Sequence, residues 1–201
     1  MADVVLFHSA QGLRRDVTAW ADSLRGAGHQ VWTPDLFDGA TFERLEDGVA
    51  HRDSIGIPEL MRRASDAVSE LPSALVYAGF SMGAPPAEIL GATRPGARGA
   101  LLMHGVAPVE ALGVEVWPSD VPVQVHYAVA DRWVDASGVE ALENLARARG
   151  ASIEVHTYPG DGHLFADPDA PEYDRASAEL MLERELAFLE SVDATRRGQH
   201  G

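Results

Sequence analysis

Short, almost wholly apolar runs alternate along this chain with longer stretches in which apolar residues recur every three or four positions. The runs are VVLF (4–7), QVWTP (30–34), SALVYAG (73–79), GALLM (99–103), VPVQVHYA (121–128) and SIEVHTY (152–158). Their length and β-branched content predict six buried strands. Over 14–28 the pattern puts Val17, Trp20, Ala21 and Leu24 on one face of a helix that ends near Gly26 or Gly28. Further helices are predicted over 41–50 with Thr41 as cap, 57–71, 84–92, 137–150 and 172–192. Strand and helix alternate throughout, so the expected class is α/β, a parallel sheet covered by helices on both faces. No repeat or linker divides the 201 residues. Residues 1–193 are expected to form a single domain, with 194–201 as a flexible tail. Two polar stretches, 35–57 and 104–120, read as long loops that shape a site.

Composition narrows the chemistry. There is no cysteine, every basic residue is arginine, and the formal net charge is −15. Disulfides, thiolate metal sites, a cysteine nucleophile and a lysine Schiff base are excluded. The acidic balance argues against nucleic acid or an anionic membrane as partner. No apolar run approaches the roughly 20 residues that span a bilayer. MADVVLFHSAQG carries no basic segment ahead of its apolar run, so it reads as a first strand and not as a signal peptide, and a cytoplasmic location is expected.

The candidate chemistry centres on LVYAGFSMGAPPAEIL (75–90). A serine stands between Gly79 and Gly83, after a strand and before Pro85 and Pro86. Glycines there permit a sharp strand-to-helix turn, and the prolines suit a helix's first turn, where N–H groups lack partners anyway. Such a turn lifts Ser81 above the carboxyl end of the sheet. A serine hydroxyl needs a base to take its proton, and the base needs a group to orient it. Asp131 follows the fifth strand and His163 the sixth, and the order Ser81, Asp131, His163 is that of the α/β-hydrolase fold. Asp131 and Asp135 compete for the acid's place, one of them capping the next helix instead. The backbone N–H of Met82 and one from HSAQG (8–12), Ala10 first and Gln11 next, are the expected oxyanion donors.

His8 and His104 end strands near the same spot and, with Gln11 and Trp133, are candidate substrate contacts. The other histidines read as structural: His126 and His156 within strands, His51 on a polar helix, His29 in a surface loop, His200 in the tail. Trp117 and Trp133 either line the pocket or pack under a loop. Asp161, His163, Asp167 and Asp169 match no common metal spacing, so no metal is expected.

The segments TPDLFDG (33–39), GFSMGA (79–84) and YPGDGHLFAD (158–167), with Asp131, give the chain a resemblance to the dienelactone hydrolase family over nearly its whole length. The resemblance implies hydrolysis of esters or lactones without cofactor or metal. It also implies sheet order 2-1-3-4-5-6 with no separate cap domain, the first strand here standing for the family's third. Three positions depart from the family pattern. Ser81 stands where the best-known members have cysteine, Ser9 where they have glutamate, and Asp167 where they have a carboxylate-binding arginine. Arg62 or Arg63 is the nearest match to a second such arginine. The expected function is a serine hydrolase acting on a small ester or lactone, with a homodimer compatible. A thioesterase or acyl-transferase on the same groups, or a non-catalytic ligand binder, are the alternatives.

Overall fold

A computed structural model describes residues 1–198. Six strands form one parallel sheet: β1 (Asp3–Phe7), β2 (Gln30–Trp32), β3 (Val76–Phe80), β4 (Gly99–Met103), β5 (Val123–Ala128) and β6 (Ile153–Tyr158), in the order β2-β1-β3-β4-β5-β6. All five pairings are parallel, with Phe7 opposite Gly79 and Phe80 opposite Met103. Successive side chains in a strand face opposite ways, so the apolar runs feed two cores. Val5, Phe7, Tyr77, Leu102 and Val125 face α3 (Ile57–Val68), α4 (Ala84–Thr93) and α5 (Ala136–Ala148). Val4, Leu6, Ala78, Leu101 and Met103 face α1 (Arg15–Gly26) and α6 (Arg175–Gly198).

The elements differ from the sequence reading where a specific bond decides the boundary. The short helix expected over 41–50 is instead α2 (Leu45–Ile55). Thr41 does not cap it, because residues 41–44 are drawn onto the loop after β1. Phe42 N–H donates to Gln11 O at 2.9 Å, and Arg14 donates to Phe42 O at 3.2 Å. Gly56, at φ +87°, then breaks the chain into α3. The final helix begins at Arg175 because Asp174 accepts the N–H of Ala176 at 3.0 Å and the hydroxyl of Ser177 at 2.6 Å. It runs on to Gly198, past the expected end at 192; residues 199–201 lie outside the described residues. Much of 104–120 is core: Val109, Val114 and Trp117 are buried, and Trp117 Nε1–H donates to Val121 O at 2.7 Å, so this tryptophan packs and does not line a site.

Candidate active site

The serine turn is fixed by steric necessity. A Cβ at position 79 would lie 1.9 Å from Gly83 O, and one at 83 would lie 2.5 Å from Phe7 O. Ser81 itself sits at φ +50°, a left-handed conformation that costs a non-glycine residue about 1–2 kcal/mol. Pro85 and Pro86 occupy the first turn of α4. The strained turn persists because β1, β3 and α4 leave the backbone no other path.

Ser81 Oγ lies 2.7 Å from His163 Nε2, and His163 Nδ1 lies 2.7 Å from Asp131 Oδ2. The other carboxylate oxygen of Asp131 accepts Trp133 N–H at 2.8 Å. With Nδ1–H donating to the carboxylate, Nε2 is left as acceptor for the serine hydroxyl. The Asp131 side chain is wholly buried and that of His163 is 6% exposed, which shields the bonds from competing water. Asp135 is not part of this line. It caps α5, accepting Ser137 N–H at 2.9 Å.

Opposite Ser81 stands the loop after β1. Gly12 holds φ +89° there, with Ala40 O where its Cβ would be. Gln11 N–H is taken by Ser9 Oγ at 3.2 Å. Among the described residues Ala10 N–H makes no bond within the protein, and Ala10 lines a cleft of about 160 Å³ together with Ser81, Met82 and His163.

The other candidates divide. His8 is fully buried and reaches no cleft, which corrects its reading as a substrate contact. Its Nε2 accepts Leu36 N–H at 2.9 Å while Nδ1 faces Ser9 O at 2.7 Å, and burial lowers its pKa, so a neutral His8 ties 35–40 to the end of β1. His104 is among the residues lining the cleft but is almost wholly buried, its ring 6.1 Å from His163, and burial holds its pKa well below the usual value. Trp133, 42% exposed, forms part of the cleft wall 5.8 Å from His163. Gln11 lies beside the cleft and donates to Glu43 O at 2.7 Å. His29 is buried, accepting Ala2 N–H, and is not a surface residue. His51 packs edge-on against Phe37 at 4.8 Å. His126 is bonded to Tyr158 at 2.8 Å. His200 lies outside the described residues. Among the described residues no group of three or more histidines and carboxylates could hold a metal ion. Arg62 and Arg63 are occupied by Glu59, Asp66 and Asp38, and neither lines the cleft.

The helix expected over 41–50 exists as α2, but its place in the cleft wall was not anticipated. Leu45, Val49 and Arg52 line the cleft from one helix face, and that i, i+4, i+7 spacing was the available signal. Gly48 lets this helix touch the loop that carries Ala10, since a Cβ there would lie 1.9 Å from Ala10 O. Glu88, buried and pushed up to about 8 by desolvation, was also missed. It accepts Ala107 N–H at 2.9 Å and so holds the segment whose Gly105 and Val106 complete the cleft.

The model of the dienelactone hydrolase family matches residues 1–192. The chain belongs to the dienelactone hydrolase family. It is 28% identical over 122 residues to a protein of Escherichia coli O157:H7 named "Putative carboxymethylenebutenolidase". That match covers 57% of this chain and 45% of the relative, so the chain spans about half the length of the curated relative it matches. Among solved structures, a dienelactone hydrolase-like promiscuous phosphotriesterase from metagenomic libraries superposes with a TM-score of 0.78 at 20% identity, over 96% of this chain and 87% of that one. A butyrate-bound thermophilic esterase of Thermogutta terrifontis gives 0.61 at 17%, over 95% and 83%. These likenesses show the fold.

Two of the chain's departures from the family pattern meet in space. Ser9 and Asp167 line one small pocket with Asp16 and His104, about 10 Å³ in volume. Asp16 Oδ1, Asp167 Oδ2 and His104 Nδ1 make no hydrogen bond there. Burial, and then the charge of Asp167, pushes Asp16 up to about 6. Asp167 is raised by burial too, and Arg14 Nη1 lies 3.9 Å from it. At this pocket the chain brings together Ser9, Asp167 and, 3.9 Å from Asp167, the Arg14 guanidinium from the loop after β1.

Proposed function

We propose that this protein is a serine hydrolase that cleaves a carboxylic ester or lactone through an acyl-enzyme. The observation that carries the reading is the continuous line Ser81 Oγ, His163, Asp131, with 2.7 Å at each step. His163 Nε2 takes the Ser81 proton as Oγ attacks the carbonyl carbon. Asp131 holds the ring in the required tautomer and stabilises its charged form. The N–H groups of Met82 and Ala10 receive the oxyanion, a contribution of about 3 kcal/mol per donor in such sites. As the tetrahedral adduct collapses, the carbon–oxygen bond to the alcohol breaks and His163 returns the proton to the leaving oxygen. Water, deprotonated by the same nitrogen, then releases the acid and restores Ser81.

A fluorophosphonate probe tests this directly. The folded wild type should be labelled at Ser81, and labelling and p-nitrophenyl acetate hydrolysis should vanish together in Ser81→Ala. A folded wild type that takes up no probe and hydrolyses no activated ester is a ligand binder, and the proposal fails.

A further inference from the structure

The cleft at Ser81 is one of two cavities that share a wall. Leu45 and Trp133 line both. The cavity holding Ser81, about 160 Å³, is walled by Val49, Pro85 and Val106, with Arg52 held by Asp53 as its one arginine. The second, about 340 Å³, has a mixed wall: Gln11 with three glutamates and two arginines on one part, and Leu45, Trp133, Leu164, Ala170 and Pro171 on the rest. The chemistry decides which part of an ester enters which. The leaving oxygen must face His163 Nε2 to receive its proton, so the alcohol departs on the histidine side of Ser81. His163 lines the first cavity, and the chain passes from it straight into the wall of the second, which Leu164 lines without lining the first; Trp133, 5.8 Å from His163, is common to both.

Resting on the hydrolase reading above, we infer that the alcohol half of the substrate is a neutral, hydroxyl-rich group, a polyol or sugar, seated among Arg44, Arg132, Glu43, Glu46 and Glu172, and that the acyl half is short. Three glutamates and two arginines line this cavity, with Arg44 Nη2 3.7 Å from Glu46 Oε2. A hydrocarbon alcohol would pack on the apolar part of the wall but strip water from the charged part without replacing its hydrogen bonds. An anionic alcohol would meet the carboxylates, and a cationic one the guanidiniums. A hydroxyl both donates and accepts without carrying charge, so it satisfies both kinds of charged wall, while the carbon skeleton of a polyol packs on Leu45 and Trp133. At about 30 Å³ per water-sized group the second cavity holds about ten such groups, the size of one sugar ring, and the first about five.

The test compares alcohols on one acyl group. Purified protein is assayed with 6-O-acetylglucose, glyceryl monoacetate and butyl acetate, and with p-nitrophenyl acetate as the reporter of Ser81-dependent hydrolysis. The expected result is a kcat/KM at least tenfold higher for the two polyol esters than for butyl acetate. In Arg132→Ala and Arg44→Ala, both on exposed side chains, the ratio of polyol ester to butyl acetate should fall at least fivefold, chiefly through KM. If butyl acetate is cleaved as well as the polyol esters, or the ratio is unmoved in both variants, the inference is overturned while the hydrolase reading stands. If p-nitrophenyl acetate shows no Ser81-dependent turnover, the hydrolase reading falls and takes this inference with it.

Discussion

Two sets of buried polar groups meet at His104, which belongs to the second, and they are built on opposite terms. On one side, Ser81, His163 and Asp131 are bonded in series, and both oxygens of Asp131 are engaged. On the other, Asp16, Asp167 and His104 surround a pocket of about 10 Å³ with one polar atom each left unbonded. Both sets sit at carboxyl ends of strands of the same sheet. The paired set costs little to bury, because each group gains in hydrogen bonding what it loses in hydration. The unpaired set pays through its titration instead, with Asp16 raised to about 6 by burial and by Asp167. A paired set can move a proton along a fixed line, and an unpaired set can only hold or lose one.

The largest effects should come from breaking the paired set. Ser81→Ala should abolish ester turnover without loss of fold, since the smaller side chain fits the same turn. Asp131→Asn should lower kcat by about 10³–10⁴-fold, because the amide leaves His163 in the wrong tautomer. Measured turnover of p-nitrophenyl acetate within tenfold of wild type in Asp131→Asn would mean that the carboxylate is not the orienting group. A second, smaller break reaches the same set through the backbone. In Gly48→Ala the new methyl would stand 1.9 Å from Ala10 O, so α2 or the Ala10 loop must shift. If Ala10 N–H is the oxyanion donor proposed above, its displacement by a fraction of an ångström should cut kcat about 10–100-fold and leave KM less affected.

The paired set was legible in the sequence and the unpaired set was not, for a physical reason. Ser81, Asp131 and His163 each follow an apolar run, and an apolar run in this alternation fixes both a strand and the direction of the loop that leaves it. Gly79 and Gly83 announced the turn because only a missing Cβ fits there. Asp16, in contrast, lies in the first turn of an amphipathic helix, where an acidic residue is favoured for its interaction with the helix dipole and attracts no notice. Nothing local shows that it meets Asp167, far along the chain. The start of α2 was hidden likewise, because Phe42 N–H to Gln11 O is a long-range bond, and with it went the face carrying Leu45, Val49 and Arg52. His8 was misread because its partner, Leu36 N–H, belongs to a loop without periodic signal.

Smaller effects come from the unpaired set and appear in stability rather than turnover. Asp16 titrates at about 6 in the fold against an ordinary value near 3.8. A carboxyl whose folded pKa is raised binds more protons folded than unfolded, so stability falls as pH rises from 3.8 through 6 and stays reduced above. Asp16→Asn removes that loss. Denaturant unfolding should show the variant more stable than wild type by on the order of 1–2 kcal/mol at pH 8, with the advantage gone near pH 4. An advantage of equal size at both pH values would mean that packing, not titration, separates the two proteins.

The smallest catalytic effect is expected at His104, which touches both sets. Its ring packs edge-on to Phe165 at 4.6 Å and stacks on Phe80 at 5.7 Å, and burial with the charge of His163 keeps it neutral. It stands at φ +60°, so the fair replacement is asparagine, which tolerates that conformation better than a bulky apolar residue. His104→Asn should lower the melting temperature by several degrees through lost aromatic packing, and change kcat/KM for p-nitrophenyl acetate by less than about tenfold. Because His104 carries no charge to lose in the working range, the acid limb of the pH profile should stay where it is in wild type. A shifted limb, or a loss as deep as that of Asp131→Asn, would place His104 inside the proton-moving line, and the two sets would then be one.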